Sequence, residues 1–95
     1  MIIMVEITAY IKSKYGIHVR PAAAINNVAK EFRDTKIVLV SPDKPEEEID
    51  GKVLLGIITI NRKCGDSIIV RTYGKGEQAA ADAVAKVINE FEVTE

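Results

Sequence analysis

The sequence contains one cysteine, one histidine and almost no net charge, and each scarcity excludes a class of protein. Because Cys64 is the only cysteine, the chain has neither an internal disulfide framework nor a zinc site built from cysteines. Thirteen basic and fourteen acidic residues leave a formal charge of −1, so the overall charge does not favour nucleic acid or a membrane surface. Any electrostatic selectivity must therefore be local.

Long hydrophobic runs are also missing. The apolar start of the chain has no basic region and is interrupted by Glu6, unlike a signal peptide. No stretch approaches the length of a transmembrane helix. We therefore expect no membrane insertion and a reducing, cytoplasmic location. Residues 1–95 contain no repeat, linker or low-complexity segment, which predicts a single domain with its own core.

Hydrophobic periodicity predicts the first two elements. Apolar and polar residues alternate over residues 3–12, as in a half-buried strand of about eight residues. From Arg20 onward the spacing becomes helical. The predicted buried stripe is Ala22, Ile25, Val28, Ala29 and Phe32. The predicted solvent side is Asn26, Asn27, Lys30, Glu31 and Arg33, with the helix ending at Asp34-Thr35.

The remaining elements give the order β-α-β-β-(α)-β-α. Predicted strands at residues 37–40, 46–50 and 67–73 are separated by turn signals, of which residues 41–45 contain two prolines, and a helix starts at Glu77. The pattern of residues 52–60 leaves a strand and a short helix both open. Since the first strand alternates cleanly, we expect an α+β fold, an open-faced β-sandwich with an antiparallel sheet.

The stretch from Gly16 to Ala23 is the strongest candidate for a functional site. Gly16 permits a tight turn, and Pro21 suits the first turn of a helix. His18 would then lie beside the free N–H groups of the helix N-terminus, close to the fixed charge of Arg20. This arrangement indicates an anion site, with a phosphoryl group carried covalently on His18. The competing interpretation is a polar residue in a loop, or a simple helix cap.

Other candidate residues have two interpretations each. Tyr15 either flanks the histidine ring or packs locally. Leu54 and Leu55 are either core residues or, if their segment is helical, include one exposed leucine that docks a partner. Cys64 in its polar loop is either a reactive thiol or, as we favour, a passive cysteine. No carboxylate, cysteine or second histidine lies near His18 in the sequence, which argues against a metal site or a catalytic triad there.

Residues 16–23, with the sequence GIHVRPAA, are similar to the active-site signature of the HPr family. These are the histidine-containing phosphocarriers of the bacterial phosphoenolpyruvate:sugar phosphotransferase system. The resemblance covers nearly the whole chain and implies a four-stranded antiparallel sheet with three helices on one face. It also implies that residues 52–57 contain the short second helix of the family.

The resemblance implies a role for each matching residue. His18 would be the phosphoacceptor, loaded by enzyme I and unloaded onto a sugar-specific enzyme IIA component, and Arg20 would contact the phosphoryl group. Leu54 and Leu55 would belong to the docking surface that both partners share. The regulatory serine of many family members falls at Val53, so that control should be absent.

The expected protein is a monomeric, stoichiometric relay without a cofactor rather than a turnover enzyme. Two alternatives to the carrier remain. One is an HPr-like regulatory module that acts by protein–protein contact in a dedicated pathway. The other is an interaction domain that is not phosphorylated at all.

Overall fold

The computed structural model describes residues 4–12, 19–60 and 63–91. Four strands and three helices follow one another in the predicted order. The strands are β1 (Met4–Tyr10), β2 (Thr35–Ser41), β3 (Lys44–Asp50) and β4 (Ser67–Gly74). The helices are α1 (Val19–Lys30), α2 (Leu54–Ile58) and α3 (Glu77–Glu90). The predicted α+β class is confirmed.

The strands form one antiparallel sheet in the order β1-β4-β2-β3. Alternate strand residues face the helices, and β4 shows this period clearly because Ile68, Val70 and Thr72 are buried whereas their neighbours are half-buried. One core joins the sheet to all three helices. Its members include Ala9, Leu39, Val70, Ile25, Ala29, Ile57, Val84 and Ile88.

Helix α1 differs from its prediction in two respects. Asn26, predicted on the solvent side, is only 4% exposed. The helix also ends at Lys30 rather than at Asp34-Thr35. The backbone amides of Glu31 and Phe32 bond to carbonyls three residues back, so the last turn tightens and closes the helix. Thr35 instead opens β2.

The β2–β3 hairpin is tighter than predicted. Only Pro42 and Asp43 form the turn, and Lys44 and Pro45 already belong to β3. Proline has no backbone N–H to donate. It is tolerated in β3 because this is an edge strand, where one side of the backbone faces solvent and needs no strand partner. The acidic residues of β3 are exposed along this edge, as expected for an edge protected by charge.

The sheet face without helices carries a polar network. Arg71 on the central strand β4 donates through Nε to Glu6 of β1 at 2.6 Å and lies 3.5 Å from Glu48 of β3. The Tyr73 hydroxyl also donates to Glu48, at 3.0 Å. Arg71 therefore links the two edge strands across the whole width of the sheet.

Candidate functional site

The N-terminus of α1 carries the part of the predicted site that the structure describes. Helix α1 begins at Val19, directly after His18 in the sequence. Arg20 is exposed in its first turn, and Pro21 next to it is buried. The first turn contains no acidic residue that would offset positive charge. The guanidinium and the helix N-terminus are both positive. Both favour an anion at this end of the helix.

Three predicted site residues, Tyr15, Gly16 and His18, lie outside the described residues. Their roles therefore stay predictions. The prediction that a helix starts within this stretch and includes Arg20 and Pro21 agrees with the bounds of α1. A proline in the first turn costs no hydrogen bond, since the first N–H groups of a helix have no partner within it.

The short helix α2 presents apolar side chains to solvent. Leu55 is 74% exposed and Val53, which precedes the helix, is 49% exposed. Leu54 is instead half-buried and packs against the core. The expectation that one of the two leucines points outward is thus met by Leu55. An exposed leucine next to a predicted binding site is a candidate contact residue for another protein.

Val53 occupies the N-cap position of α2 and makes no side-chain capping bond. Serine, threonine, aspartate and asparagine are the residues that cap helices well, because their oxygens accept from the free amides of the first turn. Valine has no such oxygen. It also has no hydroxyl that a kinase could phosphorylate.

Two residues that the sequence patterns did not indicate connect α1 and the segment just after it to the turn before α2. The Asn26 side-chain amide donates to the Gly51 carbonyl at 3.3 Å, and the Lys52 ammonium donates to the Phe32 carbonyl at 2.7 Å. One signal could have found Asn26: it lies four residues after Ala22 and three before Ala29, so it shares their face of the helix. The contact of Lys52 has no comparable signal.

The remaining candidates are simpler. Cys64 is a free, exposed thiol whose Sγ lies 3.9 Å from the Lys12 carbonyl oxygen. Within residues 4–12, 19–60 and 63–91, no group of three histidine, cysteine, aspartate or glutamate side chains could hold a metal ion. In the same ranges no helix is long and apolar enough to cross a membrane.

A family model for the phosphorylation site of the HPr component of the phosphotransferase system matches residues 5–90 of the chain. The chain belongs to the HPr family. It is 33% identical over 88 residues to the phosphocarrier protein HPr of Borreliella burgdorferi, covering 93% of this chain and 98% of that protein. It is 31% identical over 90 residues to the HPr of Mycoplasma pneumoniae, with 95% and 99% covered.

A solved structure agrees with this assignment. The crystal structure of HPr from Bacillus anthracis superposes with a TM-score of 0.78 at 25% identity and covers 90% of this chain and 96% of that one. Four antiparallel strands and three helices on one face are thus the HPr fold, and the ambiguous segment is helical at Leu54–Ile58. The family is one of phosphocarriers of the phosphotransferase system. The alternative of a regulatory module is not favoured by these relatives.

Proposed function

We propose that this HPr-family chain accepts a phosphoryl group from enzyme I on His18 and passes it to a sugar-specific enzyme IIA component. The observation that carries the proposal is the start of α1 at Val19. The only histidine of the chain thereby directly precedes a helix whose first turn contains an exposed arginine. Residues 1–95 act as one HPr-like domain, a monomer in the cytoplasm.

For phosphoryl transfer the chain needs to position the nucleophile and to offset the negative charge of the phosphoryl group. A nitrogen of the His18 ring attacks phosphorus, its lone pair forms the new P–N bond, and the bond from phosphorus to the donor breaks. Unloading is the same displacement, with a group of the acceptor protein as the nucleophile. Arg20 and the helix N-terminus offset the charge on the phosphoryl oxygens throughout.

The carrier does not complete a catalytic cycle of its own. A single contact between a phosphoryl group and the helix N-terminus is worth about 0.3–1 kcal/mol, which orients the group without trapping it. The partners supply the catalytic groups, so the chain acts as a stoichiometric relay. Leu55 and Leu54, together with Tyr15, form the surface on which the partners dock. With Val53 at the position of the regulatory serine, this chain lacks that phosphorylation.

Intact mass spectrometry tests the assignment of His18. After incubation with phosphoenolpyruvate and enzyme I, the parent should gain the mass of one phosphoryl group, whereas His18→Ala should gain none. Adding an enzyme IIA component should then return the parent to its original mass. The proposal for His18 is wrong if His18→Ala is labelled as fast as the parent.

Arg20→Gln separates the contribution of the charge from that of the nucleophile. It removes the guanidinium and leaves His18 in place. Since electrostatic stabilisation is a large part of phosphoryl transfer, we expect labelling to slow by about tenfold or more without being abolished. Arg33→Gln, which lies after the opposite end of α1, is the matched control and should be labelled at the parent rate. If Arg20→Gln is labelled as fast as Arg33→Gln, Arg20 does not contribute to phosphoryl transfer.

A further inference from the structure

Asn26 is a buried amide on the apolar face of α1. It is 4% exposed and lies on the same side of the helix as Ala22 and Ala29, which are fully buried. A buried amide is costly unless it is hydrogen-bonded. Its bond to the Gly51 carbonyl meets that requirement, and it does so by tying α1 to the turn between β3 and α2.

Gly51 is held tightly at the other end of this bond. Its backbone amide donates to the Ile37 carbonyl at 2.9 Å. A Cβ added to Gly51 would lie 3.1 Å from Ile37 Cγ2 and 3.7 Å from Ala29 Cβ, so the turn sits directly against β2 and α1. The acceptor of the Asn26 bond is therefore a fixed point of the fold.

Lys52 makes a second link between the same two segments. Its ammonium donates to the carbonyl of Phe32, just after α1 ends. Its own backbone amide bonds to the Asp50 carboxylate at 2.9 Å, and the Val53 amide bonds to the Asp50 carbonyl at 3.1 Å. The turn is thus hydrogen-bonded within itself and attached at two places, to Asn26 within α1 and to Phe32 just after α1 ends.

Helix α2 depends on this turn for its position. A helix of five residues does not persist on its own, and of its side chains only Ile57 is fully buried. Leu55, which is 74% exposed, adds little packing. The placement of Leu55 relative to α1 therefore depends on the turn at Gly51 and Lys52, together with the packing of Leu54, Ile57 and Ile58 against the core.

We infer that Asn26 is a positioning residue for phosphoryl transfer, because its bond to Gly51 sets the spacing between the docking leucine on α2 and the N-terminus of α1 after His18. The inference rests on the function proposed above. Asn26 touches neither the phosphoryl group nor the partner protein. It acts through the geometry of the surface on which the partner docks.

Steady-state labelling by enzyme I, with this chain as the varied substrate, tests the inference. Asn26→Leu removes the amide donor and keeps the side-chain size. We expect KM to rise by about five- to tenfold, as for the loss of one well-seated contact, with kcat unchanged. Lys52→Met, which removes the second link at a half-buried position, should raise KM in the same way.

Two controls separate positioning from a general loss of stability. Asn27→Leu makes the same substitution at the exposed neighbour of Asn26. Ile25→Val removes one buried methyl group from the adjacent turn without touching the link. Both should keep the KM of the parent. The inference is overturned if Asn26→Leu keeps the parent KM, or if Ile25→Val raises KM as much. A parent that takes up no phosphoryl group would instead overturn the proposed function itself.

Discussion

The side chain of Tyr73, on the sheet face without helices, makes the stability of the fold depend on pH. Burial raises the pKa of its phenol above the ordinary value of 10.0, and the hydrogen bond to Glu48 raises it further. The folded state thus favours the neutral phenol. The resulting stabilisation is fully present below pH 10 and is lost as the pH rises through the higher pKa of the folded state.

Stability at high pH should therefore depend on Tyr73. We expect the free energy of unfolding of the parent to fall as the pH rises above 10, and Tyr73→Phe to show a shallower fall, because phenylalanine does not ionise. Urea unfolding at a series of pH values measures both slopes. Tyr10→Phe, at an exposed residue of β1, should retain the slope of the parent. An unchanged slope in Tyr73→Phe would contradict the assignment.

At the scale of single elements, α2 is the shortest of the three helices. It has one turn and a half, its N-cap is a valine without a capping bond, and its most exposed residue is a leucine. Its contacts with the rest of the molecule come from Ile57 in the core, from Leu54 and Ile58 packed against that core, and from Gly56, where an added Cβ would lie 3.3 Å from Ile49 Cγ2 on β3. An uncapped N-terminus and an exposed leucine both run against the usual rules for a stable helix, and segments that break such rules are often functional.

A polar cap should strengthen α2. Val53→Ser supplies an oxygen that can accept from the Gly56 amide in the first turn, and we expect it to raise the free energy of unfolding by about 0.5–2 kcal/mol. Val53→Ala, which reduces the exposed apolar surface without adding an acceptor, should not show this gain. Urea unfolding of the three proteins gives the comparison. Equal stabilities for the serine and alanine variants would mean that the N-cap of α2 is already satisfied.

Periodicity predicted most elements because a buried face repeats every two or every 3.6 residues. It left residues 52–60 open, since a segment with one buried position at Ile57 carries no period to detect. It also misplaced Asn26, because residue type outweighed spacing: the residue lies on the buried stripe but is polar. The Arg20 end of the site followed from helix-start signals, whereas the Asn26–Gly51 bond depends on tertiary packing that no local pattern contains.

At the scale of the whole molecule, Arg71 joins strands that are far apart in the chain. Its partners are Glu6, 65 residues away, and Glu48, 23 residues away. The hydrogen bond to Glu6 is the main reason that the pKa of Arg71 is raised above its ordinary value. The side chain of Arg71 is 20% exposed, and those of Glu6 and Glu48 are 42% and 34% exposed, so solvent and salt reach these pairs in part.

The contribution of the Arg71 ion pairs to stability should depend on salt concentration. Arg71→Met keeps the length of the side chain and removes its charge, and we expect it to lower the stability of the sheet. The difference from the parent should shrink as sodium chloride is added, because salt weakens the parent's pairs alone. Lys44→Met breaks the 3.8 Å pair with Glu47, in which both side chains are more than half exposed, and should change little. A deficit of Arg71→Met that does not vary with salt would indicate lost packing rather than lost charge.

The strand order also has a consequence for how the sheet is assembled in time. Strand β4 lies between β1 and β2, yet it is the last along the sequence of the four strands in residues 4–91 that the structure describes. Only the β2–β3 hairpin pairs neighbouring segments, and β1 must wait for a partner more than fifty residues later, as in the pairing of Tyr10 with Ser67. Loop-closure entropy delays such distant contacts. During synthesis on the ribosome, β1 therefore has no partner among the other described strands until β4 has emerged.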